Sequence, residues 1–415
     1  MIQLGSLDRK RAHALLEEAR LDGMVLIQPE SVTYATGAKP GSAAGWRRAG
    51  AVFVIVPANA NVPMTAIVGD FYAEEFRAAS GIEDIVTFPV WVDLIDIAPY
   101  ENGTLVERLS LARPAKSARA RPANYDADLT FGLLADVLRR RGLASARLGT
   151  EYAFLPFADA GRFSSACPDV RWSDASQLVS RLRMIKSQQE IALLRIAAQS
   201  AEAGVAAAIS NLEPGRTGEQ LFSSFHAASS RRAVELGYDG PIYPVGTVTV
   251  GPKATGWGRP AQKGDIIRLD VGCTVQGYTS DSARTAVMGQ PSEDQRAVYN
   301  SLHKAFHRGL GLLRPGIPLR AVHAAAMRSM HDDGFTMYCR GHFGHGVGAS
   351  VFVEEWPFIS ADEHMEIEAG MVLAYELPWY IRGLGAFMLE DQFIIAAETA
   401  EPCWSLSRNL VVCEC

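Results

Sequence analysis

The sequence has no excess of basic residues, and it has no apolar run of the length that a membrane helix needs. Its 46 Asp and Glu residues outnumber 40 Lys and Arg residues, so the formal net charge is −6. Nucleic-acid binding calls for a basic face, and a membrane span calls for about 20 mainly apolar residues. The first residues, MIQLGSLDRKRAHALLEEARLDG, form a charged amphipathic pattern without the apolar core of a signal peptide. We therefore expect a cytoplasmic protein that binds neither nucleic acid nor membranes.

Cysteine is also scarce, with six residues that form no Cys-x-x-Cys motif. In a large cytosolic chain, scattered cysteines are by default reduced thiols with a structural role. The pair Cys413 and Cys415 has the spacing of a Cys-x-Cys metal ligand, but a terminal pair alone is weak evidence for a metal site. We therefore expect reduced, structural cysteines.

The chain does have the composition and length of a globular protein with two domains. It has 415 residues, of which 48% are hydrophobic and 21% are charged. Residues 8–22 have a helical pattern, and MVLIQPES, AVFVIVP and MTAIVG are typical of strands. One long helix is predicted from Ser180 to Leu212. The alternation predicts an α/β domain over residues 1–175 and a second domain over residues 176–415.

The second domain contains a faint internal repeat. LEPGRTGEQL at 212–221 resembles LRPGIPLRAV at 313–322, and each follows a helical segment. GDIIRLD at 264–270 resembles GMVLAYE at 370–376, and in each an acidic residue ends an apolar strand pattern. Two related halves that each supply a buried acid predict a pseudo-twofold domain with a site between its halves.

The segment 264–285 predicts a strand, a turn and a second strand. Asp270 lies in the first apolar run, where an unpaired carboxylate is costly to bury. A turn at Gln276 and Gly277 places Asp281 opposite Asp270, within a residue of register, and opposite residues of an antiparallel pair share a face. The first hairpin is thus predicted to present two acids to one place.

A second hairpin is predicted to do the same with Glu376 and Glu390, which flank a turn at Arg382 and Gly383. Four converging carboxylates would either take up protons or hold cations between them. Oxygen ligands with one histidine suit Mn, Co, Fe or Zn, and this many acids suits two ions. His345 in RGHFGHGVGAS is the candidate histidine. The alternative is that each acid is a solvated turn or strand-end residue.

Together these motifs resemble the pita-bread fold metallohydrolases, the family of methionine aminopeptidase, aminopeptidase P, prolidase and creatinase. RKRAHALLEEARLDGMVLIQPESVTYATG is similar to the creatinase/prolidase-type N-terminal domain, and LRMIKSQQEI to the start of the family's interdomain helix. The resemblance implies an α/β (α+β) chain with that domain first and a C-terminal pita-bread domain with pseudo-twofold halves. It also implies two divalent metal ions, with Asp281 and Glu390 touching both, and the ligand set Asp270, Asp281, His345, Glu376 and Glu390.

The sequence departs from the peptidases of this family at three places. Where they have a histidine upstream of the first aspartate strand, this chain has Trp257. Seven residues after His345 it has Phe352 instead of a second histidine, and the following VEEWP reads as if Glu354 replaced that histidine. Two residues before the last glutamate it has Met388 where prolidase and aminopeptidase P favour arginine. These changes leave the metal ligands intact and alter the region that recognises the substrate.

The sequence therefore predicts a metal-dependent hydrolase that cleaves a C–N bond, similar to Xaa-Pro peptidases. The alternatives are a non-peptidase of the same fold, similar to creatinase or ectoine hydrolase, that acts on a small amide, guanidino or cyclic amidine compound, and an inactive peptide-binding module. The resemblance also implies a homodimer. Besides the ligands, the predicted catalytic residues are Glu390 as general base, His342 and Glu354, and the predicted substrate contacts are Trp257, Phe352 and Trp356.

Overall fold

The computed structural model of the chain describes residues 7–114, 120–350 and 353–414. It is a mixed α/β structure that divides into two compact units, Leu4–Leu182 and Arg183–Cys415. The sequence predicted a division at residue 175. Each unit has its own sheet, and the second unit contains all five predicted metal ligands.

A six-stranded sheet forms the centre of the first unit. In chain order its elements are α1 (Arg9–Glu18), β1 (Gly23–Leu26), α2 (Pro29–Thr36), α3 (Ala43–Trp46), β2 (Phe53–Pro57), β3 (Thr65–Gly69), α4 (Ala73–Ser80), β4 (Ile85–Phe88), α5 (Leu105–Ala112), α6 (Ala127–Arg140), β5 (Arg147–Thr150), α7 (Phe157–Ala166), β6 (Arg171–Asp174) and α8 (Ser176–Arg183). The strand order is β4-β3-β2-β1-β5-β6. Strands β1, β2 and β3 pair antiparallel, and the outer neighbours pair parallel.

The three strands predicted in this unit are confirmed as β1, β2 and β3. All three are buried along their whole length, so their sequences are apolar runs and not alternating patterns. Two boundaries differ from the prediction. The last part of MVLIQPES begins helix α2 at Pro29, and α1 ends at Glu18 because Arg20 adopts a left-handed conformation with φ 56°.

The second unit contains two helix pairs and a ten-stranded sheet. In chain order its elements are α9 (Gln188–Ser210), α10 (Gly218–Glu235), β7 (Ile242–Val250), β8 (Ile266–Val275), β9 (Tyr278–Thr279), β10 (Ser282–Met288), α11 (Glu293–Leu310), α12 (Leu319–Asp332), β11 (His342–Gly346), β12 (Glu355–Ser360), β13 (Val372–Ile381), β14 (Gly385–Ile395), β15 (Ala400–Pro402) and β16 (Val411–Cys413). The main path of the sheet is β12-β11-β13-β14-β10-β8-β7.

The predicted internal repeat corresponds to two similar halves of this unit. The first half is the helix pair α9–α10 with β7, β8 and β10, and the second is the pair α11–α12 with β11, β13 and β14. Both Pro-Gly segments connect the two helices of a pair. Their glycines, Gly215 and Gly316, have φ values of 88° and 82°, which a residue with a side chain rarely adopts.

The prediction of one long helix from Ser180 was wrong. The structure has two helices, α8 and α9, that are separated at Met184–Ser187. Ile185 forms a β-bridge with Met371, and Ser187 caps α9 in a capping box with Glu190. Because an N-cap residue has an extended backbone, the helix begins anew at this point.

Among the described residues, one helix, α9, is long and apolar enough to cross a membrane. Packing within the second unit accounts for this composition. The helix packs against α10 and β8, and 56% of its most apolar window is buried. A core helix with few solvent-facing positions is expected to be apolar nearly all round.

Candidate metal centre

Five neighbouring strands of the second sheet bring three of the acids into one row. In the strand register, Thr247 of β7 lies opposite Asp270 of β8, which lies opposite Ala283 of β10. Ala283 lies opposite Glu390 of β14, which lies opposite Glu376 of β13. Residues that oppose each other in antiparallel pairs share a face of the sheet. This set of five positions, which we call the acid row, places three carboxylates on one face of the sheet.

Asp281 joins the acid row from the end of the first hairpin. The turn is the predicted one, and its residues Gln276 and Gly277 have φ values of 50° and 89°, as in a two-residue type I′ turn. Asp270 lies opposite Ala283 and not opposite Asp281, so the predicted register was off by two residues. A shift of two residues keeps the side chain on the same face, and the predicted convergence is preserved.

His345 completes the cluster from strand β11. It pairs with Ala374, two residues before Glu376 and hence on the face of the acid row. Its Nε2 atom lies 3.6 Å from Asp281 Oδ2, and its Nδ1 atom lies 3.0 Å from the carbonyl oxygen of Gly346. An Nδ1–H donated to that carbonyl leaves the Nε2 lone pair directed at the cluster, as in histidines that bind metals.

Three of the predicted ligands have the spacing of a metal site. Among the described residues, one atom each of Asp281, His345 and Glu390 lie within 4.8 Å of one another. Asp270 and Glu376 are placed beside this group by the acid row. The structure thus brings all five predicted ligands to one place.

The electrostatics of the cluster fit a bound cation. Burial, and then the neighbouring carboxylates, raise the pKa of Asp281 and of Glu390 well above the usual range. Glu390 is fully buried, and neither of its carboxylate oxygens has a hydrogen-bond partner within the described ranges. Burial lowers the pKa of His345, so its imidazole is neutral, as a metal ligand must be. Two unpaired oxygens beside a neutral imidazole and further acids fit a divalent metal ion.

Two arginines that sequence reasoning missed partner the outer acids. Arg268 donates to Asp270 Oδ2, and Arg340 donates to Glu376 Oε1 at 2.8 Å. The sequence contains one indication that Arg268 belongs to the site. It lies two residues before Asp270 and therefore on the same face of the strand. Asp270 is thus paired by an arginine as well as being a predicted metal ligand.

Two predicted catalytic residues lie next to the acids. His342 Nδ1 is 3.4 Å from Glu376 Oε1, and His342 Nε2 is 3.9 Å from Glu354 Oε2. The Gly344 amide donates to His342 Nδ1 at 3.3 Å. Phe358, another residue that the sequence did not single out, packs on His342 with a ring-centroid distance of 5.4 Å.

A buried ion-pair group holds the chain next to Glu354. Glu355 accepts from Arg183 and lies 3.4 Å from Lys186 Nζ. The three side chains are 8%, 11% and 1% exposed, respectively. Arg183 also donates to the Ala349 carbonyl. Strand β12 starts at Glu355, so this group determines where Glu354 lies.

The three predicted substrate contacts have different outcomes. Trp257 packs edge-on against Phe222 of α10, at 5.5 Å between ring centroids. Trp356 donates from Nε1 to Glu363 and packs against the core of the second unit. Both remain predictions as substrate contacts, and Phe352 lies outside the described residues.

Comparisons with known proteins cover nearly all of the chain. The sequence model of metallopeptidase family M24 matches residues 192–397, and that of the creatinase/prolidase N-terminal domain matches residues 9–185. The Xaa-Pro dipeptidase of Pyrococcus horikoshii is 26% identical over 234 residues, which are 56% of this chain and 66% of that protein. The matched segment thus spans about two thirds of that relative.

Solved structures extend the likeness to the whole chain. The Xaa-Pro dipeptidase from Bacillus anthracis has a TM-score of 0.76 at 22% identity, and the match covers 98% of this chain and 99% of that one. The X-Pro aminopeptidase from Thermotoga maritima has a TM-score of 0.72 at 18% identity, with coverage of 98% and 99%. At these identities the likeness establishes the fold of both units.

Proposed function

The chain belongs to the pita-bread metallopeptidases of family M24, with a creatinase/prolidase-type domain at its N-terminus, and from this premise we propose that it is a dinuclear Xaa-Pro dipeptidase. The observation that carries the proposal is the pair of buried, unpartnered oxygens of Glu390 beside Asp281 and His345, within the part of the chain that the structure describes. The relatives named above as Xaa-Pro dipeptidases support the substrate class.

The metal centre would be held by five residues, namely Asp270, Asp281, His345, Glu376 and Glu390. When bound, divalent ions would polarise the scissile carbonyl and lower the pKa of the attacking water. The proposed cofactor is a pair of divalent ions. Their identity is Mn, Co, Zn or Fe, because carboxylate oxygens with one imidazole suit all four metals.

The chain's own residues would handle the protons. Glu390 is the proposed general base, since a carboxylate that also binds the metal would lie beside the attacking water. His342 lies between Glu376 and Glu354 and, as an imidazolium, would donate a proton to the leaving nitrogen. Glu354 would orient that imidazole and stabilise its charged form.

The competing functions have less support. A peptide-binding module has no need of a buried carboxylate such as Glu390, whose oxygens have no hydrogen-bond partner among the described residues. A non-peptidase has only the altered residues at 257, 352 and 388 in its favour, while the relatives that carry an activity in their names are peptidases. The homodimer and the cytoplasmic location expected from the sequence remain proposals for this chain.

The test is hydrolysis of Ala-Pro, Gly-Pro and Ala-Pro-Ala by protein loaded with Mn²⁺ and assayed for bound metal. We expect release of proline from the dipeptides. A Glu390→Gln variant should lose at least 10³-fold in kcat, because it lacks the base. Metal-loaded protein that leaves all three peptides intact would contradict the proposal and favour small amides or cyclic amidines as substrates.

A further inference from the structure

The four residues after His345, which we call the histidine segment (residues 346–349), are attached to the strand that leads to Asp281. The amide of Thr279 donates to the Gly348 carbonyl at 3.0 Å. Thr279 lies two residues before Asp281, and Gly348 lies three residues after His345. The two ligands, whose nearest side-chain atoms are 3.6 Å apart, are therefore joined through a backbone hydrogen bond close to both of them. The position of Gly348 thus affects the distance between the ligands.

The carboxylate of Glu355 lies directly against Gly348. Glu355 pairs with Gly346 across strands β12 and β11. A Cβ atom added to Gly348 would be 2.6 Å from Glu355 Oε2 and 3.0 Å from Oε1, closer than Cβ atoms come to other heavy atoms. The φ value of Gly348 is not in the left-handed region. The close approach of the carboxylate, and not the backbone conformation, therefore requires a glycine here.

Two buried cations hold this carboxylate in place. Glu355 Oε1 accepts from Arg183, and Glu355 Oε2 lies 3.4 Å from Lys186 Nζ. Burial raises the pKa of Glu355, but Arg183 and Lys186 lower it below its usual value, so the carboxyl group is ionised. Because all three side chains are buried, the carboxylate cannot exchange these partners for water without a large cost. It is therefore a rigid support for Gly348.

The buried group also contacts the backbone on both sides of the ligand pair. Arg183 Nη2 donates to the Ala349 carbonyl as well as to the carboxylate, so it holds the end of the histidine segment. On the other side, the hydroxyl of Tyr278 in β9 donates to Glu190 Oε1 at 3.2 Å, and Glu190 lies near Lys186. The group is therefore connected to the histidine segment and to the strand that leads to the aspartate ligand.

We infer that Glu355 is a positioning residue of the proposed metal centre. It holds the histidine segment at the place where His345 and Asp281 can bind the same ion. This inference rests on the proposed function and deepens it, because it makes metal affinity depend on a buried ion pair behind the ligands. Residues that orient metal ligands typically contribute about 10- to 100-fold to metal affinity, and we expect an effect in this range.

The experiment is calorimetric titration of Mn²⁺ into metal-free wild type, Glu355→Gln and Gly348→Ala, each shown to be folded by circular dichroism. Glu355→Gln removes the charge that the two cations hold, and Gly348→Ala places a methyl group where the carboxylate now lies. Each variant should bind at least one Mn²⁺ ion roughly 10- to 100-fold more weakly than the wild type. Folded variants that bind Mn²⁺ as tightly as the wild type would overturn the inference.

A Met330→Ala variant separates positioning from a general loss of stability. Met330 is fully buried where α12 packs on α11, and the Ser301 hydroxyl donates to its sulfur at 3.4 Å. Truncation of this side chain should destabilise the fold about as much as Glu355→Gln. It should lower Tm and leave the Mn²⁺ affinity of the folded protein unchanged. If Met330→Ala weakens Mn²⁺ binding as much as Glu355→Gln does, the effect is one of stability, and the inference is wrong.

A double variant tests the contact between the carboxylate and the glycine. Glu355→Asp shortens the side chain by one methylene group and keeps its charge, so it makes room for the methyl group of Gly348→Ala. The combined variant should bind Mn²⁺ more tightly than Gly348→Ala alone, because changes at residues in contact are not additive. A combined loss equal to the product of the two single losses would contradict the inference.

The readout keeps the two claims distinguishable, because it measures metal binding and not peptide hydrolysis. A wild type that binds Mn²⁺ and cleaves no peptide would refute the proposed peptidase, and the affinities of the variants would still decide the role of Glu355. A wild type that binds no Mn²⁺ would overturn both claims.

Discussion

Glu355 forms a buried group with Arg183 and Lys186, so the loss of stability on removing its charge can be predicted quantitatively. Glu355→Gln keeps the shape of the side chain and removes the charge that two cations share. Removing one partner of a buried ion pair costs about 3–5 kcal/mol, because the other charge stays buried without compensation. Lys186 is 1% exposed in its side chain, so this penalty applies to it most fully.

The neighbourhood of Lys186 sets the expected value within that range. Glu190 is also buried near Lys186 and accepts from Tyr278 at 3.2 Å. Its carboxylate would compensate part of the remaining charge, so we expect a loss of about 3 kcal/mol, at the lower end. For a domain of this size, that corresponds to a fall in Tm of roughly 6–12 °C.

Thermal and urea unfolding of metal-free Glu355→Gln would measure this loss. Glu354→Gln is the matched control, since it makes the same chemical change one residue earlier at a side chain that is 33% exposed. Partly exposed charges contribute little to stability, so the control should stay within about 1 kcal/mol of wild type. If both variants unfold at the same temperature, the buried ion pairs of Glu355 do not stabilise this unit.

Three further predictions concern the metal, the N-terminal unit and the thiols. Removal of metal by a chelator should lower Tm, and added Mn²⁺ should restore it, because a ligand that binds only the folded state stabilises it; an unchanged Tm would contradict a metal site at Glu390. Burial raises the pKa of Asp84, but hydrogen bonds from Arg140, Thr65 and Arg141 lower it to about 2, so its stabilisation should be complete above pH 4 and lost as the pH falls towards 2. The Tm difference between wild type and Asp84→Asn should therefore shrink over that range, and a constant difference would refute the assignment. Burial raises the pKa of the Cys273 thiol to about 12, so at pH 8 a thiol reagent should label exposed Cys339 at once and Cys273 only after unfolding.

The sequence was sufficient to predict the acids and their hairpins. In each half of the second domain, an acid lies in an apolar strand pattern and a Gly-containing turn follows it. This pattern places both acids of a hairpin on one face of the sheet, and it can be read without knowledge of the tertiary packing. Glu376 and Glu390 lie directly opposite each other. Asp281 was two residues out of its predicted register, and the period of two still kept it on the correct face.

Other features depend on contacts between distant segments and could not be predicted. The break between α8 and α9 arises because Ile185 bridges to Met371, which the helical pattern of the sequence does not reveal. The partners of Asp270 and Glu376 are arginines whose reach depends on strand register and on the course of a loop. Hydrophobic periodicity carries no information about such pairs.

The central claim is that two metal ions are held by the five proposed ligands, Asp270, Asp281, His345, Glu376 and Glu390. Elemental analysis after loading with Mn²⁺ and gel filtration tests it most directly, with wild type compared with Asp281→Ala and Glu390→Ala. We expect two ions per chain in wild type and fewer than one in either variant, provided that circular dichroism shows both to be folded. Folded variants that retain the wild-type stoichiometry would show that the metal is bound elsewhere or that no such centre exists.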